Sequence, residues 1–430
     1  MNQTIRKRIE DIKNGVVPKG YKKTKVGIVP IDWEETRFKK MFSRLTRKNK
    51  EGNNNVLTIS AQYGLISQSD FFNKTVASED KSNYFLLHKG EYAYNKSYSN
   101  GYPYGALKRL EFYDKGIVSP LYICFSKTEE NNCPDFYSQY FEAGLMNKEI
   151  KAFAQEGARN HGLLNIAVDD FFNSYLLNPP VVEQEKIAEI LETQDNVIKL
   201  KEKLIEQKKQ QKKYLMQQLL TGKKRLPGFT GEWKLVKIGN SFKVISGYPF
   251  DSKNFTDSGV SVIRIQNIDN GVVNLTNSAK HNKFDICQYN VAYTGDVLIA
   301  MSGATTGKIG VYLGEEEAYI NQRVGKFIVL GSNVVKKQYL IQILLSELFF
   351  DKLKVLLSTG AQPNIGSGDL EKMKFVIPME VKEQQAIANI LSQADKEIEL
   401  LQKDLEEEKN KKKALMQLLL TGIVRFNYGK

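Results

Sequence analysis

The segments EQEKIAEILETQDNVIKLKEKLIEQKKQQKKYLMQQLLTGKKR (183–225) and EQQAIANILSQADKEIELLQKDLEEEKNKKKALMQLLLTGIVR (383–425) decide the architecture of this chain. A shift of 200 residues aligns them without a gap, and 22 of the 43 positions are identical. The same offset places Trp33 on Trp233 and Phe42 on Phe242. Repetition at a fixed period indicates repeated structural units. The chain is therefore predicted to contain two tandem copies of one unit, each ending in a long segment of this kind.

Both long segments are predicted to be helices. Neither 183–220 nor 382–420 contains proline or glycine, the residues that disfavour helix interiors most strongly. Apolar residues recur at the 4-3 spacing of a coiled coil, so each helix presents one apolar seam. A helix of an ordinary bundle is the alternative. The predicted seam consists of Ile187, Leu191, Ile198, Ile205, Leu215, Leu219, Ile387, Leu391, Ile398, Leu401, Leu405, Leu415 and Leu419.

Composition narrows the class of protein. The chain has 430 residues, 62 Lys and Arg against 49 Asp and Glu, and a formal net charge of +13. Such an excess indicates a polyanionic partner, most often nucleic acid. Three scattered cysteines and three scattered histidines predict neither a disulfide framework nor a metal site. No apolar run is long enough for a membrane span, and the N-terminus lacks a signal-peptide core. A cytoplasmic protein is expected.

The segments that precede the long helices are predicted to be mixed α/β. Runs of β-branched and aromatic residues, bounded by Gly, Asn or Asp, predict many short strands. Helical spacing is expected at 135–155 and 334–357. The clearest strand candidates are 56–60, 117–119 with 121–123, 260–265, 296–299 and 326–330.

Three fragments resemble catalytic motifs but are incomplete. Asn178-Pro179-Pro180-Val181 lacks the aromatic residue that stacks on a flipped base in amino-methyltransferases. The loop 303–309, GATTGKI, has the wrong glycine spacing for a P-loop, and Ile309 stands where a Mg²⁺-binding hydroxyl is needed. The D-x-K fragment 251–253 is too short to identify a nuclease. No catalytic residues are therefore predicted, and no metal ligands.

Loops that combine aromatic, amide and basic residues are candidates for DNA contact instead. Arg can bind guanine and Asn or Gln can bind adenine, while Lys, Ser, Thr and Tyr can bind phosphate. For any single residue, a solvated loop or a core position is the alternative. The candidate DNA-binding residues are Gln62, Tyr63, Asn95, Lys96, Ser97, Tyr98, Lys108, Arg109, Arg159, Asn160, Tyr248, Arg264, Gln266, Asn267, Ser302, Thr305, Thr306, Lys308, Asn321, Gln322, Arg323, Gln362 and Asn364.

The alternation of side chains along a strand gives a sharper prediction for Arg264, Gln266 and Asn267. In a strand formed by VIRIQN (262–267), Arg264 and Gln266 share one face, and Asn267 lies opposite or in the next loop. Arg264 or Gln266 would then reach a base edge while Lys308 holds phosphate. An internal ion pair of Arg264 is the alternative.

Taken together, these features make the chain resemble the specificity (S) subunit of type I restriction-modification enzymes. The resemblance covers nearly the whole chain, and it rests on the order and duplication of its phrases. The first half departs from the family pattern with ARNHGLLNIAVDDF (158–171), where the second has STGAQPNIGSGDL (358–370). The family-like phrases are GYKKTKVGIVPIDWE (20–34), GEYAYNKSYSNGYPYGALKRL (90–110), GIVSPLYICF (116–125), PPVVEQEKIAEIL (179–191), SGYPFDSKNF (246–255), VIRIQNIDNG (262–271), GDVLIAMSGATTGKIGVY (295–312), NQRVG (321–325), EQQAIANIL (383–391) and LLTG (419–422).

The resemblance implies a mixed α/β fold with two tandem target recognition domains, each followed by a long helix. The two helices would pair as an antiparallel coiled coil and act as a ruler between the domains. The expected division is an N-terminal segment 1–25, recognition domain 26–178, long helix 179–225, recognition domain 226–378, long helix 379–425 and tail 426–430.

The implied function is to read a bipartite, asymmetric sequence in double-stranded DNA without catalysis by this chain. Two methyltransferase subunits would dock on it, and motor-nuclease subunits would join through the complex. S-adenosylmethionine, ATP and Mg²⁺ would belong to those partners, so no cofactor is expected here. A coiled-coil scaffold, or a DNA-binding protein outside restriction-modification, is the alternative.

Overall fold

The structure, a computed structural model, confirms a mixed α/β fold. It describes residues 3–60, 63–71, 80–99, 101–128, 133–156, 164–269, 271–330, 335–357 and 364–426. The chain forms two compact units, and each is interrupted in sequence. The first contains Met1–Lys201 and Asp404–Lys430, and the second contains Glu202–Lys403. Each unit therefore holds one globular segment, the start of the helix that follows it and the end of the other long helix.

The first unit joins short strands to short helices. Its helices are α1 (Gln3–Lys13), α2 (Phe38–Met41), α3 (Gln68–Phe71), α4 (Pro134–Glu142), α5 (Asn147–Phe153), α6 (Val168–Asn173) and the beginning of α7 (Val181–Leu219). Its strands are β1 (Tyr21–Lys23), β2 (Ile28–Pro30), β3 (Glu34–Arg37), β4 (Phe42–Leu45), β5 (Leu57–Ser60), β6 (Gly64–Ser67), β7 (Phe85–His88), β8 (Tyr92–Asn95), β9 (Ala106–Arg109), β10 (Lys115–Val118), β11 (Ile123–Lys127), β12 (Gln155–Glu156), β13 (Leu164–Asn165) and β14 (Tyr175–Asn178).

A four-stranded antiparallel sheet of order β4-β11-β8-β9 lies at the centre of the first unit. The described residues of this unit also form the two-stranded pairs β1-β2, β3-β14, β5-β6, β7-β10 and β12-β13. The pairing of β3 with β14 places Glu34 opposite Asn178. The strand that enters the domain thus pairs with the strand that leads into α7. The helix expected over 135–155 is two helices, which separate at Gly144, where φ is +68°.

The second unit contains larger sheets. Its strands are β15 (Trp233–Lys237), β16 (Phe242–Ser246), β17 (Val260–Ile263), β18 (Ile268–Asp269), β19 (Gly271–Val273), β20 (Ala279–His281), β21 (Val291–Ala292), β22 (Val297–Ala300), β23 (Ile309–Val311), β24 (Ala318–Ile320), β25 (Val324–Val329) and β26 (Lys374–Pro378). Its helices are α8 (Lys337–Leu344), α9 (Glu347–Leu357), α10 (Ser367–Lys372) and α11 (Val381–Leu419), with 3-10 helices at Ile238–Asn240, Ser252–Asn254, Ile265–Asn267 and Gln288–Asn290.

These strands form a six-stranded sheet of order β16-β25-β22-β23-β19-β18 and a four-stranded sheet of order β20-β17-β24-β21. Most pairs are antiparallel, whereas β17-β24 and β19-β23 are parallel. The pair β15-β26 repeats the arrangement of β3-β14, with Trp233 opposite Pro378. The strand expected over 260–265 ends at Ile263, because a 3-10 helix begins at Ile265.

The long helices α7 and α11 each span 39 residues, close to the predicted ranges. Within each unit they run antiparallel, because residue numbers rise along α7 as those of their partners fall along α11. The ion pairs that define this direction are Asp195–Lys412 and Lys201–Asp404 in the first unit, and Lys208–Glu397 and Lys212–Asp395 in the second. The antiparallel pairing expected from the family resemblance is confirmed. None of the helices in the described ranges is long and apolar enough to cross a lipid bilayer.

The apolar cores explain why each unit needs both long helices. In the first unit, the core around Trp33 and Phe38 includes residues from both helices. In the second, the core around Phe242 and Tyr339 does the same. Every predicted seam residue is buried or half-buried. The helix residues in the first core are Ile187, Ala188, Leu191, Met416, Leu419 and Leu420, and those in the second are Met216, Leu219, Leu220, Ile387, Ala388 and Leu391.

In each unit, an ion pair between an arginine and a fully buried glutamate connects the end of one long helix to the start of the other. Glu183, in the first turn of α7, is fully buried and accepts hydrogen bonds from Arg425, which follows the end of α11. In the second unit, Arg225 after the end of α7 binds the fully buried Glu383 of α11. Gly422 lies in the turn that follows α11, with a φ of +70°, and any Cβ there would lie 2.5 Å from the Cδ atom of a proline in β2. The LLTG segment therefore brings the Arg side chain to the start of the other helix.

Candidate nucleic-acid interface

In the second unit, the predicted loops meet through backbone contacts. The N–H of Gln322 donates to Tyr248 O at 2.9 Å, and the N–H of Tyr248 donates to Ile320 O at 2.8 Å. The N–H of Asn321 donates to Ile263 O at 3.0 Å, directly before Arg264. The loops at 248, 264–267 and 321–323 therefore lie side by side.

The glycine-containing loop 302–308 joins the same surface. The Thr305 hydroxyl donates to Ile265 O at 3.1 Å, and the N–H of Met301 donates to Arg323 O at 2.9 Å. Ser302 forms a β-bridge with Asn364. Predicted residues that are far apart in the sequence thus come together. We call the resulting surface, formed by Tyr248, Arg264–Gln266, Ser302–Thr306, Asn321–Arg323 and Asn364, the second-unit loop cluster.

Several side chains of the second-unit loop cluster are available to a ligand. Gln266, Gln322, Arg323 and Asn364 are exposed, and their side chains have no hydrogen bond or ion pair within the described ranges. Tyr248 is 41% exposed while its ring contacts Phe250 at a centroid distance of 5.1 Å. Amide, guanidinium and aromatic groups of this kind suit base edges and sugar-phosphate surfaces.

Arg264 is held within this cluster without a carboxylate. Its guanidinium carbon lies 5.6 Å from the centre of the Phe255 ring, and its buried Nε has no acceptor among the described residues. The internal ion pair considered as an alternative does not occur there. A buried donor without an acceptor is costly, so a bound acceptor would stabilise this side chain.

Three side chains predicted to contact DNA in the second unit have hydrogen-bond or ion-pair partners within the fold. Asn267 is 5% exposed, its Oδ1 accepts the N–H of Arg264 at 2.9 Å, and its Nδ2 donates to Asn274 O at 3.0 Å. It shapes the loop and has no free amide group for a base. Lys308 pairs with Asp269 at 2.7 Å, and the Thr306 hydroxyl donates to Gly303 O. Since Arg264 and Gln266 follow the end of β17, strand alternation does not place them on one face.

In the first unit, the predicted residues Asn95–Tyr98 follow β8. Tyr98 is exposed, and Asn95 Oδ1 accepts the N–H of Ser97 at 3.1 Å, which stabilises the turn. Lys96 is half-buried, and burial lowers the pKa of its ammonium group. Lys96 O accepts the N–H of Leu164 at 3.0 Å, so this turn contacts the hairpin β12-β13.

Of the other residues predicted to contact DNA in the first unit, some lie within the described ranges and some lie outside them. Tyr63 is exposed in the turn between β5 and β6. Arg159 and Asn160 belong to the connection between β12 and β13 and lie outside the described residues. Gln62, and Gln362 of the second unit, also lie outside them. These four positions stay predictions.

Lys108 and Arg109 have ion-pair partners within the first unit. Lys108 pairs with Glu142 and donates to the Tyr102 hydroxyl at 3.1 Å. Arg109 pairs with Asp135 and with Glu111. Their side chains are only 13% and 16% exposed. Both bind carboxylates of the domain itself, which favours structural roles, and their contact with phosphate stays a prediction.

The motif fragments that resemble catalytic sites also have structural roles. Asn178 ends β14, and its Oδ1 accepts from the Tyr137 hydroxyl at 3.1 Å and from Gln184 Nε2 at 2.9 Å. Asp251 Oδ1 accepts the N–H of Lys253 at 3.0 Å and caps a 3-10 helix. Residues 178–181 thus form the exit from a strand into the long helix.

One basic stretch, RFKKMFSRLTRKNK (37–50), is not among the candidates that loop composition predicts. It contains seven basic residues and no acidic one. Lys39, Lys40 and Arg44 are exposed, on α2 and β4. Counting charge in short windows would have identified this stretch from the sequence.

Comparison with known proteins gives one family. The sequence profile of the Type I restriction modification DNA specificity domain matches residues 230–409. The type I restriction enzyme MjaVIII specificity subunit of Methanocaldococcus jannaschii is 31% identical over 331 residues, which cover 72% of this chain and 75% of the relative.

Two solved structures share the fold. A chain from a structure on complex assembly and conformational transition of the type I R-M system has a TM-score of 0.56 and 16% identity, covering 92% of this chain and 99% of that chain. The type I restriction-modification S subunit from M. genitalium has a TM-score of 0.54 and 14% identity, covering 90% and 96%. With its duplicated sequence, its two units and its clustered polar loops, the chain belongs to the family of type I restriction enzyme specificity subunits, which recognise DNA sequence.

Proposed function

We propose that the two units read the two halves of a bipartite, asymmetric DNA target. This proposal rests on one observation: the two copies of the repeat have diverged from each other more in some segments than in others. The segments 183–225 and 383–425 keep 22 of 43 residues at the 200-residue offset, whereas the segment 358–370 is one residue shorter than its counterpart 158–171 and differs from it in sequence. Two similar frameworks that carry different segments of this kind would read two different sequences.

The long helices would act as the ruler that sets the spacing of the half-sites. Each spans 39 residues, or about 58 Å at 1.5 Å per residue. Half-sites one helical turn apart on DNA are separated by roughly 34–36 Å. A helix pair of this length can therefore span the distance between two such half-sites.

The helices would also be the surface on which two methyltransferase subunits dock and methylate one adenine in each half-site. Motor-nuclease subunits would join through the same complex. The chain itself would be non-catalytic, and S-adenosylmethionine, ATP and Mg²⁺ would be bound by the partner subunits. This is supported by the structural roles of Asn178, Asp251 and Lys308, the residues of the incomplete catalytic motifs.

Mapping of methylated adenines tests the proposal. The chain is expressed with its methyltransferase subunits, first intact and then with residues 233–378 replaced by those of another specificity subunit. We expect a bipartite methylated motif in which the exchange alters only one half. A contiguous motif, or a change in both halves, would contradict the assignment of one half-site to each unit.

A further inference from the structure

The basic stretch 37–50 of the first unit contains charges that the fold does not use. Arg37 donates to Asn173, and Arg47 binds Glu91 at 2.9 Å. Lys48 donates to Asn83 O at 2.8 Å. The other members, Lys39, Lys40, Arg44 and Lys50, are exposed, and their side chains have no hydrogen bond or ion pair within the described ranges. We call Lys39, Lys40 and Arg44 the basic edge, since they lie on β4, an edge strand of the central sheet, and on the helix before it.

The second unit shows that the fold forms without these charges. At the 200-residue offset, Lys39 and Lys40 correspond to Gly239 and Asn240, and Arg44 corresponds to the buried Val244. That segment still forms a short helix followed by an edge strand, β16, which begins with a buried Phe, as β4 does. Protection of a sheet edge by charge can account for Arg44, because β16 likewise carries one exposed lysine, Lys243. It does not account for Lys39 and Lys40, which lie on α2 and not on the edge strand.

Strand register places α2, with Lys39 and Lys40, at the end of the sheet away from the turn Asn95–Tyr98, while Arg44 lies between them, opposite Phe125. Phe42, at the start of β4, lies opposite Lys127 of β11, whereas Tyr94, near the end of β8, lies opposite Ile123. The turn Asn95–Tyr98 therefore leaves the sheet at the end opposite to α2. A strand of four residues spans about 13 Å, which is comparable with the roughly 12 Å width of the major groove. Side chains from the turn can enter the groove while the basic edge faces phosphates that border it.

We propose that Lys39, Lys40 and Arg44 bind the DNA phosphate backbone beside the first half-site and contribute affinity without reading bases. This inference rests on the proposed function as a DNA-reading subunit. Unpaired, clustered positive charges repel one another, and phosphates relieve that repulsion and release counterions. The second unit lacks the equivalent residues, so the two half-sites differ in the phosphate contacts that flank them.

The test compares the salt dependence of DNA binding by the assembled complex of this chain with its methyltransferase subunits. The variant K39Q/K40Q/R44Q removes the basic edge, and K39R/K40R/R44K keeps its charge. The control K234Q/K372Q/K374Q removes three exposed lysines from the second unit, so the net charge changes equally. Thermal unfolding confirms that each variant is folded. Binding is measured at salt concentrations from about 50 to about 200 mM, on a target duplex and on a scrambled duplex.

For K39Q/K40Q/R44Q, we expect the slope of log K against log salt to become shallower by about 0.9 for each phosphate that the variant no longer binds, or roughly 2.7 in total. Raising the salt from about 50 to about 200 mM then weakens binding by both proteins, but the fold-decrease in affinity is about 40 times smaller for the variant than for the wild type. The change is the same on both duplexes, and the methylated motif stays unchanged. The charge-keeping variant and the control retain the wild-type slope.

An unchanged slope for K39Q/K40Q/R44Q overturns the inference. So does weaker assembly with the methyltransferase subunits at an unchanged slope, since the basic edge would then bind an acidic protein surface. The inference is also wrong if the control reduces the slope by the same amount, because the net charge of the chain alone would then explain the change. Failure of the proposed function would give a different result from failure of this inference: the wild-type complex itself would not prefer the target duplex to the scrambled one.

Discussion

Arg425 binds both carboxylate oxygens of Glu183: its Nε donates to Oε1 at 3.0 Å and its Nη2 to Oε2 at 2.7 Å. The indole N–H of Trp33 donates to the same carboxylate at 2.8 Å. The hydrogen bond with Glu183 raises the pKa of Arg425, so the guanidinium stays charged. Arg425 thus connects the end of α11 to Glu183 at the start of α7, 242 positions earlier in the sequence.

Replacement of Arg425 by Ala should destabilise the first unit locally. It leaves the buried carboxylate of Glu183 without its cation, which costs about 3–5 kcal/mol in comparable cases. Hydrogen exchange should show weaker protection around Trp33 and the first turns of α7, with the second unit unaffected. The matched variant Arg225→Ala should act on the second unit only. Equally weakened protection in both units after either change would show that the ion pairs do not act locally.

Proline at Ile198 should break α7 within its paired region. It removes a backbone hydrogen bond and clashes with the preceding turn, at roughly 3 kcal/mol or more. We expect lower helical content by circular dichroism, weaker association with the methyltransferase subunits and a disturbed spacing of the methylated half-sites. Lys199→Ala, at an exposed neighbouring position, is the control. If the variant assembles normally on a sizing column and the methylated motif is unchanged, the hypothesis that the helices set the spacing of the half-sites is wrong.

Substitutions in the second-unit loop cluster should separate base reading from loop support. Truncation to Ala of Arg264, Gln266 or Arg323, tested singly, should cost about 1–3 kcal/mol where the residue contacts a base and should relax one position of the second half-site. Asn267→Ala should instead lower stability by about 1–3 kcal/mol, because buried backbone groups are left without their partners.

The measurement is binding across a panel of single-base variants of the target, together with thermal unfolding. Asn267→Ala should leave the ranking of the panel unchanged. If none of the three truncations alters the ranking, base reading by this cluster is wrong, even though the family assignment stands.

Lys108→Gln and Arg109→Gln should affect stability and leave DNA binding nearly intact. Each change breaks an ion pair within the first unit and leaves a carboxylate, Glu142 or Asp135, without its cation. We expect a lower unfolding temperature and an unchanged salt slope. A slope shallower by about 1 would instead identify a phosphate contact.

The long helices, their seams and the duplication were predictable from the amino-acid sequence. Helix formation depends on contacts between residues three and four apart, so the absence of Pro and Gly and the spacing of Ile187, Leu191 and Ile198 contain the necessary information. The strand pairs that close each domain, such as Glu34 opposite Asn178, were not predictable, because pairing depends on which distant segments fold together.

Which polar loop residues are free depends on the folded structure. Gln266 and Asn267 are neighbours with the same amide group, yet Gln266 is exposed and Asn267 is buried against Asn274. Lys108 resembles Lys40 in sequence context, but only Lys108 lies beside a carboxylate, that of Glu142. Availability for DNA depends on burial and on charges brought close by folding, and these are set by residues far away in the chain.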